Sequence, residues 1–168
     1  RWGYPGAVPQ LKKVGPICTF VGAFPGAMPG VLGWTAARGQ LGWGAVVMFA
    51  IVFCWQFPHF YSIAWLYRQD YEDGGIRMLP VVEPDGKSTG RQILIYSLAL
   101  IPISLLPAFL GMSGKLYFAG ALVQGIALFY VGCRLVSLEL ATGNALAKQC
   151  ARQLLQTTVL NRPLLFSL

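Results

Sequence analysis

Long uncharged stretches separated by short polar breaks set the pattern of this chain. No Asp, Glu, Lys or Arg occurs in 17–37, 39–67, 92–114 or 116–133, and about 20 apolar residues suffice for a helix to cross a ~30 Å hydrocarbon core. A fifth stretch, 152–168, is shorter and is interrupted by Asn161, Arg162 and Pro163. The pattern predicts an all-α fold, a polytopic transmembrane helical bundle with spans at about 17–37, 41–67, 92–112, 116–137 and 150–168. No internal repeat or low-complexity tract interrupts it.

Two of these stretches carry further detail. In the first, Gly22, Gly26 and Gly30 recur with Ala23 and Ala27 beside them, which on a helix makes a small-residue face that a second helix can approach closely. Pro25 and Pro29 each remove a backbone donor and predict a kinked or partly unwound helix. Irregular backbone at membrane depth survives where it packs on protein or lines a cavity. The second stretch ends in Phe53, Trp55, Phe57, Phe60, Tyr61, Trp65 and Tyr67. An interfacial aromatic belt is the ordinary explanation, but these rings run deeper than a belt and predict a lining for a flat or polyunsaturated ligand. Gly74-Gly75 then ends the helix ahead of a loop.

Composition agrees with a membrane location. Hydrophobic residues make up 55% of the chain and charged residues 11%, against roughly 25% charged in soluble domains. A net charge of +7 excludes little alone, and no basic stripe on a soluble domain offers it to nucleic acid. Topology accounts for it better. With Lys12 and Lys13 facing the cytoplasm and alternate crossings after them, Arg1, Arg68, Arg77, Lys87, Arg91, Arg134, Lys148 and Arg152 gather on that side. Arg38, Lys115 and Arg162 fall on the other, a positive-inside distribution. All the acids (Asp70, Glu72, Asp73, Glu83, Asp85, Glu139) lie on the cytoplasmic side, so the expected location is the inner, cytoplasmic membrane with the chemistry opening to the cytoplasm. Cys18, Cys54, Cys133 and Cys150 are scattered singly and read as small packing residues rather than disulfides or zinc ligands. The chain opens with Arg1 and no signal peptide follows; it is read as a fragment.

Candidate chemistry gathers where the second stretch meets water. Residues 55–80 hold the chain's one histidine, His59, and Asp70, Glu72 and Asp73. On a helix continuing from Trp65, Asp70 and Asp73 share a face. Two hard oxygen ligands so placed suit Mg²⁺, which commonly takes one or two carboxylates with substrate phosphates and waters; a solvated helix end is the ordinary alternative. Arg68 and Arg77 beside them are fixed cations suited to phosphate oxygens. His59 is either a hydrogen-bonded packing residue or a contact for substrate, proton or iron, since polar groups within a span are costly. Gly86-Lys87-Ser88-Thr89 imitates the end of a phosphate loop, but Val81 stands where the leading glycine belongs, and the match is rejected.

These residues also carry a family resemblance. Leu11-Lys12-Lys13, VGAFPGAMPGVLGW over 21–34, WQFPHF over 55–60, AWLYRQDYEDGG over 64–75, MLPVV over 78–82 and RQILIYSLALIPISLLP over 91–107 resemble the heme branch of the UbiA-type membrane prenyltransferases, the protoheme IX farnesyltransferases or heme O synthases. The likeness covers essentially the whole chain, and the WQFPHF and DY..GG..MLP combination is specific to that branch. It implies a bundle of nine spans, of which residues 1–168 form the C-terminal part of a single domain and supply the last five. It implies transfer of a farnesyl group from farnesyl diphosphate to a vinyl group of heme B, with Mg²⁺ as cofactor. The lipid bilayer is the surroundings, and heme A synthase or a terminal-oxidase assembly are candidate partners.

The resemblance implies catalytic roles for Asp70, Asp73 and Arg68, with Asp70 and Asp73 on the metal. Lys12, Lys13 and Arg77 then serve the diphosphate, and His59, Trp55, Phe60 and Tyr67 serve the substrates. Related prenyltransferases carry a second acid four residues after the first, but here that place is Gly74. Asp70 therefore matches directly, and Asp73 enters by its helical facing. The family's first Asp-rich motif belongs to the half not present, so the fragment is expected to be inactive alone. A heme-holding or heme-delivering membrane subunit without catalysis is the alternative reading, and a quinone-directed sibling is disfavoured by WQFPHF.

Overall fold

A computed structural model describes residues 15–75, 79–82, 86–137 and 145–167. Among these the regular structure is entirely helical: α1 (Gly15–Arg38), α2 (Trp43–Leu66), α3 (Arg68–Asp73), α4 (Leu79–Val82), α5 (Lys87–Phe109), α6 (Lys115–Ser137) and α7 (Ala145–Ser167). α2, α5 and α6 are long and apolar enough to cross a membrane. α5 begins at Lys87, ahead of the uncharged run at 92, because Gly86 starts the helix from a left-handed turn (φ 63°). The long stems of Lys87 and Arg91 let such a helix extend to the aqueous edge.

The packing order is a ring of four helices, α2 on α5, α5 on α6, α6 on α7 and α7 back on α2, with α1 laid against α2 outside it. Connections are short at one end, between α1 and α2 and between α5 and α6. At the other end lie the long segment with α3 and α4 and the link from α6 to α7. Short links force antiparallel neighbours, so the α2 C-terminus and the α7 N-terminus share an end. Leu66 and Lys148 accordingly line one cleft. α2 is the most enclosed of the three apolar helices, with 56% of its span buried against 28% for α5 and for α6. Its buried Trp55, Phe57, Tyr61 and Trp65 join Ile93, Leu100, Leu128, Leu135 and Leu154 in the core. Outward faces carry exposed Leu98, Val123, Ile126 and Val159, as expected where lipid or further protein replaces water.

α1 differs from expectation in two ways. It runs as one continuous helix through Pro25 and Pro29; both prolines are exposed, so the donors they lack fall on the side away from α2. The close-packing face keeps Ala23, Gly26, Ala27 and Gly30 of the one predicted and loses Gly22. Ala23 and Ala27 are fully buried. A Cβ on Gly26 would lie 2.7 Å from the Gln56 side chain and one on Gly30 3.6 Å from the Met48 carbonyl, while Gly22 faces open space. Helical rotation of 100° per residue, rather than a strict four-residue repeat, selects these positions.

At the α1–α2 turn a Cβ on Gly44 would overlap the Trp34 indole, whose face is also covered by the Arg38 guanidinium at 5.3 Å. A ring pinned on both sides has nowhere to move. Gly44→Ala is expected to destabilise the fold by about 1–3 kcal/mol, read as a lowered melting temperature in detergent; an unchanged melt would show that the indole shifts freely.

Candidate active site at the end of the aromatic helix

The helix expected to continue from Trp65 through Asp73 is broken. Tyr67, at φ −105° and ψ 28°, closes α2, and Arg68 opens the separate α3. Asp70 and Asp73 therefore sit on a helix of their own, three residues apart and both exposed. α3 ends where Gly74 and Gly75 take over: the Gly74 N–H donates to the Asp70 carbonyl at 3.0 Å, and Gly75 adopts φ 67°. Arg68 is half-buried with its guanidinium 5.2 Å over the Trp65 ring, a cation–π contact that holds the charge against the end of α2. Lys12, Lys13 and Arg77 lie outside the described residues.

Among the described residues no three His, Cys, Asp or Glu side chains converge as a metal cage. Two exposed carboxylates on one short helix suit a hydrated Mg²⁺ shared with a diphosphate better than an all-protein site, because Mg²⁺ keeps several waters and takes one or two carboxylates. The donor set fits that metal in that role.

The rings of α2 divide into two faces that spacing alone had merged. One is a ladder. Phe49 stacks on Phe53 at 5.6 Å, Phe53 meets Phe57 edge-on at 5.2 Å, and Phe57 reaches Tyr61 at 6.3 Å. α1 adds Phe20 and Phe24, each 5.5 Å from Phe53, and α5 adds Tyr96 flat on Phe57 at 3.7 Å. Phe20 and Phe24 stay nearly half exposed, so the ladder presents ring surface outward as well as inward. Phe60 and Tyr67, at 39% and 50% exposure, are the most accessible of the predicted substrate-facing rings.

The other face ties α2 to α7. The Trp55 indole N–H donates to the Thr158 carbonyl at 2.7 Å. The Trp55 ring stacks on His59 at 4.6 Å with an 18° tilt, and His59 Nδ1 lies 3.0 Å from Thr158 Oγ1. Thr158 has one hydroxyl proton and gives it to the Leu155 carbonyl at 2.7 Å. With that proton committed, His59 Nδ1–H is the donor to Thr158 Oγ1. His59 thus has a structural task at the α2–α7 seam, and Trp55, 6% exposed, is the packed layer beneath it.

Sequence reasoning missed Phe20, Phe24, Phe49 and Tyr96 in the ladder. The four-residue spacing of Phe20 with Phe24, and of Phe49 with Phe53, Phe57 and Tyr61, was the available signal. It also missed Thr158, for which a threonine in a helix gives none. A cleft of about 410 Å³ opens next to Tyr67, lined by Leu66, Tyr67, Lys148, Gln149 and Arg152; Lys148 and Arg152 had entered only as topological charges.

Comparison with known proteins places this arrangement. The chain is 59% identical over 161 residues to the protoheme IX farnesyltransferase of Koribacter versatilis (strain Ellin345), covering 96% of this chain and 52% of that protein. With the protein of the same name from Solibacter usitatus (strain Ellin6076) it shares 57% over 150 residues, 89% of this chain and 49% of the relative. With that of Salinibacter ruber (strain DSM 13855 / M31) it shares 41% over 158 residues, 94% and 53% respectively. The chain spans about half the length of the curated relatives it matches. No solved structure matches it. The model of the UbiA prenyltransferase family matches residues 2–149, and with most of its length accounted for in this way the chain belongs to that family.

Proposed function

We propose that the full-length protein is a heme O synthase, transferring the farnesyl group of farnesyl diphosphate to a vinyl group of heme B. The observation that carries this reading is the 59% identity over 161 residues to a relative named protoheme IX farnesyltransferase. The geometry supports the same division of labour. The allylic carbon–oxygen bond breaks with its electron pair leaving on the diphosphate, and the electron-poor carbon is attacked by the vinyl π electrons. Water then adds to the benzylic-type cation and loses a proton, giving the hydroxyethylfarnesyl side chain. Mg²⁺, when bound, neutralises charge growing on the diphosphate.

Asp70 and Asp73 would hold that ion from the exposed side of α3, and Arg68, steadied on Trp65, would add a positive charge for the leaving group. Phe20 and Phe24, the exposed edge of the ladder, offer apolar ring surface on which an isoprenoid chain lies, with the buried Phe57 and Tyr61 behind them, so that the cation is shielded from early capture by water. Phe60 and Tyr67, the accessible rings, border the acceptor with His59 and the buried Trp55 behind them, and Lys12, Lys13 and Arg77 are assigned to the diphosphate.

The five long helices act as membrane spans in this reading. Arg68, Lys87, Arg91, Arg134, Lys148 and Arg152 sit at the α3 end against Arg38 and Lys115 at the other, which supports an inner-membrane protein with this end in the cytoplasm. Heme A synthase or a terminal-oxidase assembly would receive the product.

The test is to supply the purified full-length protein in lipid nanodiscs with heme B, farnesyl diphosphate and Mg²⁺ and follow heme O by mass. Product should form and should stop when a chelator removes Mg²⁺. No product with heme B, or equal product from a quinone precursor, would refute the assignment.

A further inference from the structure

We infer that the cleft between the end of α2 and the start of α7 binds the paired carboxylates on one edge of the porphyrin acceptor, separately from the diphosphate site. This rests on the heme reading above and adds the part of the acceptor that is recognised and the residues that recognise it. The cleft is about 410 Å³, within the range of ~300–1,000 Å³ usual for small-molecule sites. Its lining residues are Leu66, Tyr67, Lys148, Gln149 and Arg152. Among the described residues these are two cations, an amide and a phenol with no carboxylate, a donor set that suits an anion.

Lys148 and Arg152 are four residues apart on α7, both exposed, so their side chains rise from one face with Cβ atoms about 6 Å apart. Two separate positive charges match an acceptor carrying two carboxylates better than one carrying a single charge. Arg152 can grip one carboxylate in a bidentate fork while Lys148 meets the other as a point charge.

What lies along the seam from the cleft fits a flat macrocycle. Six residues on from Arg152, about 9 Å along the helix, Thr158 holds the stacked His59 and Trp55 pair by two hydrogen bonds. Leu66 and the half-exposed Tyr67 ring make the apolar side of the opening. An amphiphile with an anionic edge and an aromatic body would lie with its charge at the water boundary and its rings toward that pair.

A phospholipid headgroup offers related anionic chemistry, and the experiment separates the two. The full-length protein in nanodiscs of phosphatidylcholine alone is titrated with heme B and with heme B dimethyl ester, which keeps the macrocycle and removes both carboxylate charges. Wild type should favour heme B over the ester by about tenfold or more. The double variant K148Q/R152Q should bind both as weakly as wild type binds the ester, with KM for farnesyl diphosphate unchanged. Lys87→Gln, a cation at the same end outside the cleft, should keep the preference.

Equal binding of acid and ester by wild type would overturn the proposal. So would a raised KM for farnesyl diphosphate in the double variant, which assigns the cations to the diphosphate. A defect seen only when anionic phospholipid is present assigns them to lipid and overturns it too. The titration needs no turnover, so a preference for heme B without farnesyl transfer would uphold the cleft while the proposed reaction fell.

Discussion

Asp70→Asn in the full-length protein is expected to lower kcat for farnesyl transfer by at least about a hundredfold, the scale on which loss of one group stabilising transition-state charge is felt. The substitution keeps the shape of the side chain and removes one hard oxygen charge, so the effect isolates metal holding from packing. Asp70 is exposed in the first turn of α3 and makes no side-chain cap there, and exposed substitutions away from caps and cores usually change stability by less than about 0.5 kcal/mol. The variant should therefore melt with wild type while turning over far more slowly, and the deficit should ease at high Mg²⁺. Asp73→Asn should follow in the same direction with a smaller loss. Near-normal turnover by the Asp70 variant would show that the carboxylate pair is a solvated helix end, the ordinary explanation of its spacing.

Trp55→Ala carries the largest expected stability cost. The side chain is 6% exposed, gives its N–H to the Thr158 carbonyl at 2.7 Å and stacks on His59 at 4.6 Å. Large-to-small core changes of this kind cost about 3–5 kcal/mol in water-soluble proteins. Between helices in lipid the hydrophobic term is small and packing with hydrogen bonding carries association, so about 3 kcal/mol is expected here. Trp55→Phe keeps most of the stacking and forfeits the N–H, for a loss of about 1 kcal/mol. Unfolding of the full-length protein in mixed micelles, followed for wild type and both variants, reads the order directly. If the alanine variant unfolds with wild type, the α2–α7 seam contributes little and the His59 assignment as a packing residue loses its footing.

Different parts of the site were legible to different degrees. Asp70, Asp73 and Arg68 could be picked out because charge is rare in this chain, and a cluster of it at the end of an apolar helix is conspicuous in any folded state. The break at Tyr67 was not legible. Nothing in the local residue types forbids helix there, and the bend is visible only in the backbone. The aromatic ladder was half legible: Phe53, Phe57 and Tyr61 were named and Phe49 was not, and which α2 rings face α1 depends on how α2 is rotated in the ring. The hydrogen bond of His59 to Thr158, 99 residues away, was not legible, because it depends on which face of α2 meets α7. The cleft was wholly invisible, since Tyr67 and Arg152 lie far apart in the chain and each alone reads as an ordinary interfacial residue.

The amino-acid order alone determined that this is a helical, membrane-type chain with long apolar helices. Those properties follow from one-dimensional constraints: backbone groups in lipid must be satisfied within the segment, a helix must be long enough to cross, and charge is expelled to the ends. Only the tertiary structure decided the ring order of the helices, the pairing of His59 with Thr158 and the meeting of Tyr67 with Lys148 and Arg152. Such contacts are fixed by side-chain packing and hydrogen bonding between segments distant in sequence, and hydrophobic patterning does not encode which apolar face meets which.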